Sequence, residues 1–147
     1  MNDPQEIIDS LPDRRTVLEA KLRDVEITQR EALELTLMLA EEAMPFIDAR
    51  RSIWALHHAN ARHMWLHPSE QQSRYTQAIL CRTKTGYMTR AEAVVYWAAM
   101  CAGRVDLRCG LDSKAPSRAT DGWAHSAYEC AEQSLRWLNL MRESGND

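Results

Sequence analysis

The chain has 147 residues, 45% of them hydrophobic and 27% charged, and its formal net charge is −3. A chain of this length can fold as one domain without metals or disulfides. Its first residues lack a basic segment followed by an apolar one, and no apolar run approaches the roughly 18 residues of a membrane span. These features argue against an exported or membrane-embedded protein, and we expect one domain, residues 1–147, in the cytoplasm.

The composition predicts helices. No glycine occurs before Gly86, alanine and leucine dominate the apolar residues, and alternating β-branched runs are absent. We therefore predict an all-α, single-domain bundle of about five to seven helices. An acidic amino-terminal region, residues 4–44, should hold three of them, at about 4–9, 12–25 and 29–44. Thr28-x-x-Glu31 matches a capping box, in which hydroxyl and carboxylate oxygens accept hydrogen bonds from the free amides at a helix start.

A basic, histidine-rich middle region, residues 46–102, should hold three more helices. Pro45 lacks an amide donor and should end the preceding helix or kink it into the next one, over 46–66. Pro68 should close that helix, and another should follow over 69–83.

The last predicted helix of the middle region covers 90–102 and begins at a second capping box, Thr89-x-x-Glu92. Gly103 should then adopt the left-handed conformation that often ends helices. Residues 103–120 show no sustained period and form the longest predicted loop, and such loops are often functional. A carboxy-terminal helix should run over 121–143.

Charge is sorted along the chain. Residues 1–50 carry 12 Asp+Glu and 6 Lys+Arg, residues 51–118 carry 4 and 10, and residues 119–147 carry 5 and 2. The net charges of the three blocks are therefore −6, +6 and −3. Four of the five histidines also lie in the basic block, so an acidic protein surface or a nucleic-acid backbone could be attracted there.

The leading hypothesis is a non-enzymatic protein that binds another macromolecule through this basic face, as an adaptor, an inhibitor or a small subunit of a larger assembly. We expect no cofactor and no contact with a membrane, and self-association into a homo-oligomer stays open. The predicted binding residues are Arg62, Arg74, Arg82, Lys84, Arg90, Arg104, Arg108, Lys114 and Arg118.

Direct nucleic-acid binding by the same residues is the first alternative. Residues 62–68 (RHMWLHP), a polar helix and residues 85–94 (TGYMTRAEAV) follow one another in an order that is similar to ribbon-helix-helix DNA-binding proteins. The resemblance implies a short strand at 62–68, placed on DNA by a dimer. An ordinary helical hairpin is the other interpretation of the same segment.

A metal-dependent bundle enzyme is the second alternative. His57 or His58, with His125 and Glu129 from the last helix, would supply two imidazoles and one carboxylate inside a bundle. Residues 54–66 (WALHHANARHMWL) also resemble the first metal-ligand helix of DinB-type four-helix metalloproteins. Those proteins carry two further histidines on the last helix, where this chain offers His125 followed by Glu129. Histidines on a solvated or partner-facing helix are the competing interpretation.

Overall fold

The computed structural model describes residues 13–119 and 125–146, and these residues form a bundle of six α-helices. The helices are α1 (Arg14–Arg23), α2 (Gln29–Ala43), α3 (Ser52–Leu66), α4 (Glu70–Cys81), α5 (Arg90–Arg104) and α6 (Ala127–Ser144). The predicted all-α, single-domain bundle is confirmed. The helix predicted at 4–9 lies outside the described residues. None of the described helices is both long and apolar enough to cross a membrane.

Helix α5 lies at the centre of the bundle, where it contacts α2, α3, α4 and α6. Its buried positions are mostly small, including Ala91, Ala98 and Ala102, so neighbouring helices can approach it closely. Leu33 and Leu37 of α2 pack into the same core from one face of their helix, as the sequence period predicts. The core is therefore built around a helix of small residues.

Helix α1 ends in a Schellman motif in which valine, Val25, occupies the position where glycine is usual. The Val25 amide donates to the Leu22 carbonyl at 3.2 Å and the Glu26 amide to the Lys21 carbonyl at 2.8 Å. This is the Schellman arrangement, in which the residue just after the cap adopts the left-handed conformation and is usually glycine. Here it is Val25, with φ of 56°. The predicted helix over 12–25 therefore stops at Arg23.

The helix predicted over 46–66 is shorter in the structure. Met44–Phe46 forms a 3-10 turn after α2, and Ile47 is extended, with φ of −99° and ψ of 137°. The Asp48 carboxylate accepts a hydrogen bond from the Arg50 amide at 3.0 Å and so closes a turn before α3 begins. Of the two outcomes predicted for Pro45, the structure shows the end of the helix, whereas the predicted start at 46 was wrong because the extended Ile47 and the Asp48 turn delay α3 to Ser52.

Two predicted boundaries around the longest loop were also wrong. Helix α5 continues to Arg104, and Gly103 lies buried within it instead of ending it. A Cβ at Gly103 would lie 2.9 Å from Cγ of Gln77, so this glycine allows α4 to approach α5 closely. The last helix was predicted to begin at residue 121, but it begins at Ala127. Ser126 is its cap residue and forms a capping box with Glu129. Residues 121–124 lie outside the described part of the chain.

The start of α5 is held by a buried carboxylate. Glu92 is buried, and its Oε1 accepts hydrogen bonds from the Thr89 amide at 2.9 Å and from Nη1 of Arg51 at 2.7 Å. The Arg51 guanidinium also lies 5.8 Å from the centre of the Trp54 ring. Glu92 therefore caps α5 and links it to the segment that leads into α3.

Replacing Glu92 with alanine should lower the free energy of unfolding by about 2 kcal/mol, because it removes a helix cap and a charged hydrogen bond together. Glu92→Gln should cost less, since the amide oxygen can still accept from Thr89. Urea denaturation at neutral pH measures both. The matched control is Glu26→Ala, which removes an exposed carboxylate 3.6 Å from Lys114 and should change stability by less than about 0.5 kcal/mol. Equal losses for Glu92→Ala and Glu26→Ala would contradict this account.

Candidate functional site

The loop between α5 and α6 is bound to the start of α2. The first amides of a helix have no partner within the helix, and the loop supplies acceptors for two of them. The Gln29 amide donates to the Ser113 carbonyl at 3.0 Å, and the Arg30 amide to the Leu111 carbonyl at 2.8 Å. An isolated antiparallel bridge between Thr28 and Lys114 extends this contact. The described loop, residues 105–119, is thus fixed on the bundle.

The Gln29 side chain fastens the other end of this loop. It is buried, and its Nε2 donates to the carbonyl oxygens of Asp106 and Gly110, both at 3.0 Å. Its Oε1 accepts from the Asp106 amide at 2.6 Å. One amide side chain therefore closes the segment from Asp106 to Gly110 on itself, and this segment carries Arg108.

A cleft of about 470 Å³ lies between this loop, α4 and the junction of α5 with α6. Four arginines line it and come from three different elements. Arg74 projects from α4, Arg104 ends α5, and Arg108 and Arg118 belong to the loop. We call this feature the arginine cleft. Its other described walls include Ser73, Gln77, His125 and Ser126.

Arginines outnumber carboxylates among the described residues that line the arginine cleft. Glu70 and Asp106 are the two carboxylates among its described lining residues, against the four arginines. Glu70 lies 3.4 Å from Arg74 in an ion pair whose side chains are 65% and 81% exposed. The hydrogen bond from the Arg108 side chain holds the pKa of Asp106 below its ordinary value, so this carboxylate stays ionised at neutral pH. Exposed pairs of this kind contribute little to stability.

The other predicted binding residues do not line the cleft. Arg90 donates to the Gly145 carbonyl at 2.9 Å and so binds the end of α6, and Lys114 lies 3.6 Å from Glu26. Arg82 and Lys84 are exposed at the far end of α4, about 18 Å along the helix axis from its first residue. Arg62 is exposed on α3. The nine predicted residues therefore divide into four that converge and five that do not.

The predicted metal ligands do not come together either. Nε2 of His58 lies 3.9 Å from Glu41, whereas the His125 ring packs edge-on against Trp97 with centroids 4.9 Å apart. Oε1 of Glu129 accepts hydrogen bonds from the Ser126 and Ala119 amides, at 3.0 and 2.8 Å. Within residues 13–119 and 125–146, no group of three or more His, Cys, Asp or Glu side chains could hold a metal ion. The three-ligand site predicted from the sequence is thus not formed there.

His57, the remaining candidate ligand, is fully buried. Its Nε2 lies 2.8 Å from Oγ1 of Thr83, and that hydroxyl donates its one hydrogen to the Ile79 carbonyl at 3.0 Å. Nε2 must therefore carry the proton, which leaves it unable to bind a metal. Burial lowers the pKa of His57 from 6.5 to about 4. The neutral imidazole joins α3 to the end of α4.

The strand implied by the ribbon-helix-helix resemblance is absent. Residues 62–66 are the last residues of α3, which runs unbroken from Ser52 to Leu66. The helical-hairpin interpretation of α3 and α4 is the one that the structure supports.

Sequence reasoning missed two residues that shape the cleft. No motif in the sequence marks Gln29 as a residue that binds the loop. The neighbouring Thr28–Glu31 capping box correctly placed it at a helix start. Asp106 is also missed, because its backbone contact with Gln29 spans 77 positions in the chain. His125 was singled out as a metal ligand, and the structure places it in the wall of the cleft instead.

Comparisons with protein-family models, with curated proteins and with solved structures found no match to this chain. What the protein does must therefore be inferred from its own residues and their geometry.

Replacing Gln29 with alanine should free the loop. The substitution leaves the part-buried Asp106 amide without an acceptor, which costs about 1–3 kcal/mol of stability. We also expect faster amide hydrogen exchange and earlier proteolytic cleavage within residues 105–115, with the helices protected as before. Gln71→Ala, at an exposed position on α4, is the matched control. If exchange in the loop is the same in the two variants, Gln29 does not hold it.

His57 should make stability depend on pH. Because its pKa is lowered on folding, the unfolded chain takes up a proton first, and stability present above pH 6.5 is lost as the pH falls toward about 4. A pKa separation of this size corresponds to about 3 kcal/mol. His57→Gln retains a donor for Thr83 and should flatten the dependence in this window. Urea denaturation between pH 7 and 4.5 measures it, with the exposed His63→Gln as control. A similar slope in both variants would rule His57 out as the cause.

Proposed function

We propose that the protein is a non-enzymatic binding protein that captures an acidic segment of another protein in the arginine cleft. In this role it acts as an adaptor, an inhibitor or a small subunit of a larger assembly. The observation that carries the proposal is the convergence of Arg74, Arg104, Arg108 and Arg118 on one cleft of about 470 Å³. Arg74 lies 30 positions before Arg104 in the sequence, so α4 and the end of α5 meet here only through folding.

Arginine suits this task. Its planar guanidinium presents several N–H donors in a fixed geometry and can hold a carboxylate with two parallel hydrogen bonds. The local partners, Glu70 and Asp106, are on or near the surface and pair with neighbours only four and two residues away. An incoming carboxylate can replace such an exposed pair at small cost. An acidic side chain that enters the cleft would thus meet donors from more than one wall.

The lining residues favour binding over catalysis. The Ser73 hydroxyl donates to the Gly103 carbonyl at 3.3 Å, and Oγ of Ser126 accepts the Glu129 amide at 3.1 Å. Both described lining serines are therefore engaged in holding helices. His125 contacts Trp97, and no hydrogen bond joins it to either serine among the described contacts. This arrangement lacks the nucleophile and base that acyl transfer requires.

The distribution of charge favours a protein segment over a nucleic acid. Phosphate-backbone binding uses cations that follow the strand over many successive charges. Here four of the nine predicted basic residues share one cleft whose described wall also holds two carboxylates. The other five are scattered, and two of them, Arg90 and Lys114, contact other parts of the chain. Direct nucleic-acid binding is therefore the second candidate, and the same measurement tests it.

Charge reversal within and outside the cleft tests the proposal. The probes are a fluorescein-labelled deca-glutamate peptide and a labelled ten-nucleotide single strand, each titrated at low salt and followed by anisotropy. We expect Arg74→Glu with Arg118→Glu to weaken peptide binding by about tenfold or more, since two attractive contacts become repulsive. Arg82→Glu with Lys84→Glu changes the net charge equally but lies outside the cleft, and should change the affinity by less than about threefold.

The outcomes separate the candidates. An equal loss of peptide affinity in the two double variants would show that the peptide is attracted by net charge alone. It would overturn the arginine cleft as the binding site. Tighter binding of the oligonucleotide, with an affinity that falls steeply with salt, would favour the nucleic-acid candidate. Capture from a host lysate with nuclease treatment, repeated with both double variants, extends the test to the natural partner.

A further inference from the structure

Two histidines lie side by side on the surface at the end of α3. His63 belongs to the last turn of the helix and His67 is its cap residue, and both are exposed. The His67 amide donates to the His63 carbonyl at 2.7 Å, which fixes the two residues on one face. Their ring centroids are 5.4 Å apart, and the ring planes are tilted by 53°. Neither residue belongs to the arginine cleft.

The separation of the rings matches that of two imidazoles on one metal ion. A Zn–N bond is about 2.0–2.1 Å, and a ring centroid lies about 1.2 Å behind its nitrogen, so each centroid lies about 3.2 Å from the metal. Two centroids 5.4 Å apart then subtend an angle of about 115° at the ion, which is near the tetrahedral value.

We propose that His63 and His67 form an open two-imidazole site for a divalent transition metal of the Zn²⁺, Ni²⁺ and Cu²⁺ class. Imidazole suits these ions, and a pair spaced one helical turn apart can chelate one of them. Since no third metal-ligating side chain joins such a group in the part of the chain that the structure describes, water fills the remaining positions. The site differs from the buried one predicted from the sequence, because it uses neither His57, His58, His125 nor Glu129.

The exposure of the pair determines its properties. A site with two protein ligands and several waters binds weakly and exchanges its metal quickly compared with a closed four-ligand site. The affinity should follow the general order for nitrogen ligands, with Cu²⁺ tightest and Ni²⁺ and Zn²⁺ weaker, and the hard cation Mg²⁺ should not bind. This order distinguishes imidazole ligation from attraction of cations to surface carboxylates.

Metal titration of the full chain tests the proposal. Zn²⁺, Cu²⁺ and Mg²⁺ are titrated separately against the protein in competition with a chromophoric chelator at pH 7.5. We expect one equivalent of Cu²⁺ or Zn²⁺ to bind, and a loss of affinity of about tenfold or more in both His63→Ala and His67→Ala, since each removes half of the protein ligands. Both positions are exposed, so circular dichroism should show an unchanged fold.

The matched control is His58→Ala, which removes a half-buried histidine of the same helix and should leave the affinity unchanged. Retention of full affinity in His63→Ala or His67→Ala would overturn the proposal and point to another site, such as the exposed thiols of Cys81 and Cys109. Absence of Zn²⁺ and Cu²⁺ binding up to about 1 mM, or a preference for Mg²⁺, would overturn it as well.

Discussion

The burial of α5 among four neighbouring helices is the constraint on which the rest of the structure depends. Its small side chains allow α2, α3, α4 and α6 to approach from different sides, so this helix contributes to the core at each of these interfaces. Each end of α5 therefore positions a charged side chain. Glu92 holds its start next to Arg51, and Arg104 at its end faces the arginine cleft. The position of the cleft thus follows from the packing of one helix.

The loop that completes the cleft packs apolar residues against the core and is also held by a set of polar contacts. Backbone carbonyls of the loop accept hydrogen bonds from the first amides of α2, and Gln29 ties Asp106 to Gly110 across the loop. These bonds satisfy groups that burial would otherwise leave without partners, so they specify one loop conformation. Arginines on a mobile loop would not hold fixed positions. Here the loop is bound to the start of α2 at Asp106 and again between Leu111 and Ala115.

The sequence predicted the helices better than their limits. Thr28 and Thr89 begin helices as expected because a capping box is a local pattern that needs no tertiary information. Gly103 was wrongly predicted to end α5 because a glycine near a helix end is usually a cap residue. Here its missing side chain leaves room for Gln77 of α4. The convergence of the four cleft arginines could not be predicted. Their meeting depends on how α4, α5 and the loop pack, and no periodicity within the sequence encodes that.

The two exposed histidines lie close to the cleft along the chain. His67 precedes Glu70, which lines the cleft, by three residues, so their Cα atoms are at most about 11 Å apart. A metal held by the pair would add positive charge near the cleft entrance.

Helix α4 is attached to the bundle in an unusual way. Its buried residues are Ser73, Thr76 and Leu80, so only one of the three is apolar, and Gln77 and Ser73 hold it to the Gly103 carbonyl at 2.6 and 3.3 Å. Hydrogen bonds of this kind exchange for water at a small net cost. Since α4 carries Arg74, the wall of the cleft that α4 forms is held to α5 in part by hydrogen bonds to one backbone carbonyl instead of a broad apolar contact.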